Sequence, residues 1–225
     1  AREAILTLNE RTRQYEWGPQ MSRIARAAYQ TTRVRNVALP LLRAITEACD
    51  ETSVLVVYDA AHHQVIFTDK IDCRQPVRYE VPMNISLPAH AGASGKVILA
   101  YLAQAELEKI IRMGLEPLTP HTITDPDRLR AELRTVRERG YAVSHAERMP
   151  GACGVGVPVF DGRGIVAELH VSIPEYRFTE AVGERVVGLL LDGGKQASWL
   201  MGLPEQAGYP PEVAPDGSIA RLADR

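Results

Sequence analysis

The sequence predicts an α+β fold, an antiparallel sheet with helices on one face and a pocket on the other. Two observations carry this. Apolar β-type runs come in two groups of three, with helix-period segments before, between and after them, so the order is helix, three strands, helices, three strands, helix. Neighbouring runs are joined by short turn signals, the strongest being Asp161-Gly-Arg-Gly164, which marks a hairpin. The 225 residues are 45% hydrophobic and 24% charged with a formal charge of −2, enough for one good core plus an appendage.

The first element is a hairpin. Ala4–Leu8 and Arg13–Trp17 are short β runs around Asn9-Glu-Arg-Thr12. Two strands alone are marginal, so the hairpin is expected to belong to a larger unit. Arg2, Arg11 and Arg13 make it locally basic, which suits either phosphate contact or a plain solvated surface. Gly18-Pro19 punctuates. Gln20 to Gln30 has helical spacing, with Met21, Ile24, Ala25 and Ala28 on one side. A second helix is expected from about Val34 to Ala48, striped by Val37, Leu41, Leu42 and Ile45 and kinked at Pro40.

Ser53–Tyr58, Gln64–Thr68 and the alternating Val77–Val81 make the first three strands. The stretch that organises the chain follows, Pro88-Ala-His-Ala-Gly-Ala-Ser-Gly-Lys96, running into the apolar Val97–Leu102. Gly92 to Gly95 allow close backbone approach, and Ser94 is expected as a helix N-cap. Free amides at such a helix start suit a carboxylate or phosphate. The alternative is a tight strand-to-helix turn and nothing more. Ala105–Arg112 is a further helix, and Thr124-Asp-Pro-Asp127 caps a long one from about Pro126 to Arg139, ended by Gly140. Tyr141–His145, Cys153–Phe160 and Ile165–Ile173 are the closing strands, Thr179–Met201 the last helix, and the tail from Pro204 is expected to fray.

Several chemistries are excluded by spacing. A nucleophile elbow needs glycine two residues after its serine, where Lys96 follows Ser94. A P-loop needs glycine five positions before Gly95-Lys96, where His90 stands. Histidines 62, 63, 90, 121, 145 and 170 form no metal-binding motif, so no metal is assigned, although His90, His145 and His170 lie on elements that can converge. His62 and His63 sit in a turn and are expected to face solvent. Cys49, Cys73 and Cys153 are odd in number and widely spaced, which fits free thiols in a reducing cytoplasm. No apolar run is long enough for a membrane span, and the net charge lacks the basic excess of a dedicated DNA-binding domain. His170 and Ser172 share one face of their strand, opposite the apolar Leu169, Val171 and Ile173. That polar face lines a pocket or meets water; alternation does not choose.

Five segments in this order resemble the IclR (isocitrate lyase regulator) family of bacterial transcription regulators: Tyr15-Glu-Trp-Gly18, Leu87-Pro-Ala-His-Ala-Gly-Ala-Ser-Gly-Lys96, Leu118-Thr-Pro-His-Thr-Ile-Thr-Asp125, Arg137-Glu-Arg-Gly-Tyr141 and Gly156-Val-Pro-Val-Phe-Asp161. The resemblance implies a GAF-like six-stranded antiparallel sheet with flanking helices, preceded by a wing hairpin and a linker helix. It divides the chain into a wing remnant of a winged helix-turn-helix (1–18), a linker helix (19–32), a GAF-like effector-binding domain (33–203) and a flexible tail (204–225). The helix-turn-helix that precedes the wing in such proteins is not in this sequence, so the chain is expected to sense a ligand and not to read DNA specifically.

The implied function is ligand-responsive repression or activation, with a small carboxylic or aromatic acid as effector, promoter DNA bound by the full-length protein, a homodimer or tetramer, no cofactor and no enzymatic activity. The residues so implied are Gly92, Ala93, Ser94, Gly95, Ser144, Gly154, His170 and Ser172 for the effector, with Leu55, Val57 and Phe67 as apolar wall, and Arg11 and Arg13 for DNA phosphates. Two departures stand out. Ser144 occupies a place that is often acidic, and His170 one that is often serine, so the preferred acid is expected to differ from simple keto acids. The competing reading is a stand-alone GAF-like binding module or a hydrolase-like enzyme.

Overall fold

The computed structural model describes residues 5–8 and 10–220. The chain divides into two compact units, residues 1–36 and 37–225. In the first, β1 (Leu6–Leu8) pairs antiparallel with β2 (Tyr15–Trp17), Leu6 opposite Trp17, and the Gly18 amide closes the hairpin on the Ile5 carbonyl at 2.7 Å. Arg13 takes a left-handed conformation in the turn, φ 58°.

Helix α1 runs unbroken from Pro19 to Cys49, where two helices were expected. The stretch between them, Thr31-Thr-Arg33, holds no glycine or proline, and β-branched threonine lowers helix propensity only slightly. Pro40 lies inside the helix, on an exposed position.

The second unit is built on one sheet: β3 (Thr52–Asp59), β4 (Gln64–Ile71), β5 (Ser86–Pro88), β6 (Ala142–His145), β7 (Ala152–Phe160) and β8 (Ile165–Pro174). The order is β5-β4-β3-β8-β7-β6, and every pair is antiparallel. Val77–Val81 is not a strand; Ser86–Pro88 takes the edge position instead. Pro76 and Pro82 bracket the alternating run, and its Tyr79 hydroxyl donates to the Pro150 carbonyl, so the segment crosses over the domain without adding to the sheet.

Helices cover both faces of the sheet, not one. Leu169, Val171 and Ile173, all fully buried, face α5 (Glu180–Met201) and the later turns of α1. There Gly193 lets the helix approach Ile45 and Leu169, and Gly194 does the same at Val157. The opposite face, with Gly154, Gly156, Glu168 and His170, meets α2 (Ala93–Tyr101), whose nine residues are all buried. Helix α3 (Gln104–Met113) and α4 (Pro126–Arg139) complete that side. The α4 boundaries follow their signals: Asp125 accepts from the Arg128 amide at 2.7 Å, and Gly140 ends the helix in the left-handed region.

Of the tail 204–225, expected to fray, residues 204–220 are folded onto the domain, and 221–225 lie outside the described residues. Tyr209 donates to the Pro158 carbonyl at 2.7 Å with its ring 6.3 Å from Phe160, and the Gln104 amide reaches the Pro215 carbonyl at 2.8 Å. All three cysteines are free thiols. Among the described residues no helix is long and apolar enough to cross a membrane.

Candidate functional site

A cleft of about 520 Å³, counting the space open to solvent, lies between the start of α2 and the β6-β7-β8 edge of the sheet. Gly92, Ala93, Ser94, Ser144, Gly154, His170 and Ser172 all line it, together with Phe67. The 79–82 segment forms one rim. Ser94 is not the cap of α2. Gly92 holds that position at φ 85°, no side chain caps the helix, and Ser94 is its second residue. Gly95 does not line the cleft: a Cβ there would sit 1.8 Å from the Ala89 carbonyl oxygen, so this glycine serves helix packing. Leu55 and Val57 are likewise absent from the lining; Leu55 is buried opposite Leu169. Arg11 and Arg13 are exposed between β1 and β2.

The cation in the cleft lining is Arg148, which lies in the loop after β6 and which sequence reasoning missed. Its Nη1 donates to Ser94 Oγ at 3.0 Å, and its Nη2 donates to the carbonyls of Pro88 at 3.2 Å and Ala91 at 2.5 Å. The guanidinium carbon stands 5.2 Å from the centre of the Phe67 ring. Its Nε is buried without a partner, and among the described residues no carboxylate pairs with it. Burial pulls the Arg148 pKa down to about 10, opposed in part by the charges of Glu168 and Glu147.

Behind the cleft floor, His170 Nδ1 lies 3.0 Å from Glu168 Oε1. That contact fixes the ring, and Phe67 stacks on it at 6.0 Å. His170 Nε2 sits over Gly154, where a Cβ would come within 3.0 Å of it. Only glycine leaves room for the imidazole. Burial raises the Glu168 carboxyl above the ordinary range, against the pull of His170 and Arg148, and its Oε2 has no partner. Glu168 was legible in principle: it shares the register of His170 and Ser172.

The glycine loop also binds an anion of the protein's own. Glu147 Oε2 accepts from the Gly92 amide at 3.2 Å, while its Oε1 meets the buried Lys96 Nζ at 2.6 Å. Lys96 also reaches the Val143 carbonyl at 2.9 Å and Glu132 at 3.2 Å. One amide of the expected cradle is therefore taken. The histidines considered for convergence are engaged separately: His90 donates to the Glu116 carbonyl at 2.8 Å, and His145 lies against Cys153. His63 is half-buried against Glu106 at 2.7 Å instead of facing solvent; His62 is exposed and meets Asp59.

A family model, Bacterial transcriptional regulator IclR C-terminal, matches residues 26–199. The chain belongs to the IclR family. Its IclR domain is 32% identical over 183 residues to the HTH-type transcriptional repressor AllR of Escherichia coli K12, covering 79% of this chain and 66% of that one. The first curated relatives are spanned to between 56% and 75% of their length. Among solved structures, the Thermotoga maritima IclR matches with a TM-score of 0.73 and 29% identity, over 88% of this chain and 80% of that one. An IclR homolog of Microbacterium hydrocarbonoxydans complexed with 4-hydroxybenzoate shares the fold, with a TM-score of 0.70 and 24% identity over 88% of this chain and 79% of that one.

Proposed function

We propose that this chain is the effector-sensing part of a ligand-responsive transcription regulator, and that the cleft takes a small carboxylic acid, aromatic ones first. The observation that carries the reading is Arg148: a half-buried cation with neutral acceptors, an aromatic face and a spare Nε donor, beside the start of α2. A carboxylate placed there gains charge-assisted hydrogen bonds and meets the positive end of α2. His170, held by Glu168, offers its other nitrogen to a second polar group on the ligand. The 4-hydroxybenzoate bound by the Microbacterium homolog has that chemistry, an acid at one end and a hydroxyl at the other.

Binding and not catalysis suits the same geometry. Ser94 Oγ accepts from Arg148 and, among the described residues, is hydrogen-bonded to no base, which favours binding over hydrolysis. In the full regulator, residues 1–18 act as the wing, with Arg11 and Arg13 on promoter phosphates, and 19–32 as the linker. It works as a cytoplasmic homodimer or tetramer. The ligand controls DNA affinity by no more than its differential affinity for two arrangements of that assembly. The test is thermal unfolding of the chain against a panel of aliphatic and aromatic acids, 4-hydroxybenzoate among them. Stabilisation by aromatic acids and not by their amides supports the reading; equal responses to acid and amide remove the carboxylate.

A further inference from the structure

At the end of the sheet, three side chains from three segments converge. His145 closes β6, Cys153 is its register partner in β7, and Glu175 opens the turn between β8 and α5. Their ligand atoms all lie within 4.8 Å of one another, with His145 Nδ1 3.2 Å from Cys153 Sγ. Cys153 borders the cleft, but alternation along β7 turns its side chain to the face opposite Gly154, away from Arg148 and His170. Cys153 is buried while His145 and Glu175 are exposed, so the cluster opens to solvent on one side.

Each group is held in place without being used up. Phe178 packs edge-on against the His145 ring at 5.1 Å. The Glu175 amide donates to the Gly151 carbonyl at 2.8 Å, which fixes the turn. The neighbouring Arg177 is committed to Glu51 through two bonds of 2.7 Å and does not neutralise Glu175.

We propose that His145, Cys153 and Glu175 bind a thiophilic divalent metal, zinc above all, with water completing a tetrahedral set. Thiolate, imidazole and carboxylate together are the donor types of zinc sites, and three protein ligands leave an open position. No motif announced the site, because the ligands are brought together by strand pairing and a turn and not by close sequence spacing. In the metal-free protein, burial and the Glu175 charge hold the thiol pKa up at about 11, so metal binding releases its proton. The bound ion ties β6 and β7 to the entrance of α5.

The test uses the whole chain, stripped with a chelator, kept reduced, and titrated with zinc by calorimetry and with cobalt by absorption. One zinc per chain is expected, with a near-ultraviolet sulfur-to-cobalt charge-transfer band. The pairs His62–Asp59 and His63–Glu106 have no thiol and cannot give that band. C153S is expected to lose it. Because Cys153 is buried, the exposed H145A and E175Q supply variants that keep the fold; zinc affinity is expected to fall about a hundredfold in the first and about tenfold in the second. A wild-type chain without the band, or H145A and E175Q binding zinc as tightly as wild type, overturns the proposal.

Discussion

Replacing Arg148 by glutamine separates ligand binding from folding. In the free protein the substitution removes a desolvated charge and, with it, three hydrogen bonds to neutral acceptors. These effects oppose each other, so stability is expected to stay within about 1 kcal/mol of wild type, or about 2–4 °C in Tm for a chain of this size. Binding should respond far more. An effector acid at about a hundred times its Kd stabilises wild type by about 2.7 kcal/mol, which is about 5–11 °C. Losing a charged donor to the carboxylate costs about 2–3 kcal/mol, an increase in Kd of roughly thirtyfold to 160-fold. At the same acid concentration the variant then gains only about 0.3–0.9 kcal/mol, about 1–3 °C. Differential scanning fluorimetry with and without the acid reads both numbers from one sample. An R148Q chain that keeps the full ligand-induced shift would mean that the carboxylate is held elsewhere.

The same geometry makes other predictions. G95A is expected to lose about 1–3 kcal/mol or more, since a methyl group would collide with the Ala89 backbone; calorimetric unfolding checks it, and a near-neutral result would return Gly95 to a ligand role. Glu168 has a raised carboxyl pKa, so its ionisation destabilises the fold as pH rises above the ordinary carboxylate range. E168Q should therefore melt higher than wild type near neutrality, with the gap closing as pH falls towards 4.5, the ordinary value for a glutamate. Y209F removes the bond to the Pro158 carbonyl and should cost about 1–2 kcal/mol by denaturant titration, whereas a frayed tail would leave stability unchanged.

Local signals that needed no partner were legible in the sequence. Asp125, within the expected capping segment Thr124–Asp127, and Gly140 bound α4, and Asp161-Gly-Arg-Gly164 made its hairpin between β7 and β8. Elements defined by a partner were not. Val77–Val81 has strand alternation but no neighbouring edge to pair with, and the Ser86–Pro88 edge strand is too short to show a pattern. The glycine loop pointed to the cleft, yet the two uses of glycine look alike in sequence: Gly92 borders the cleft at positive φ, while Gly95 is a packing contact. His170 and Ser172 were visible as a shared face, and the fold decided that this face turns inward under α2. Arg148 carried no signal, because it follows a strand in a loop where no periodicity applies.

Operator affinity of the full-length regulator, measured with and without an acid that stabilises the domain, tests directly whether a ligand in this cleft controls DNA binding. Wild type is expected to change its affinity by about fivefold or more, and the R148Q regulator to bind DNA normally but ignore the same acid. An operator affinity that is the same with the cleft filled or empty would mean that the cleft does not control DNA binding.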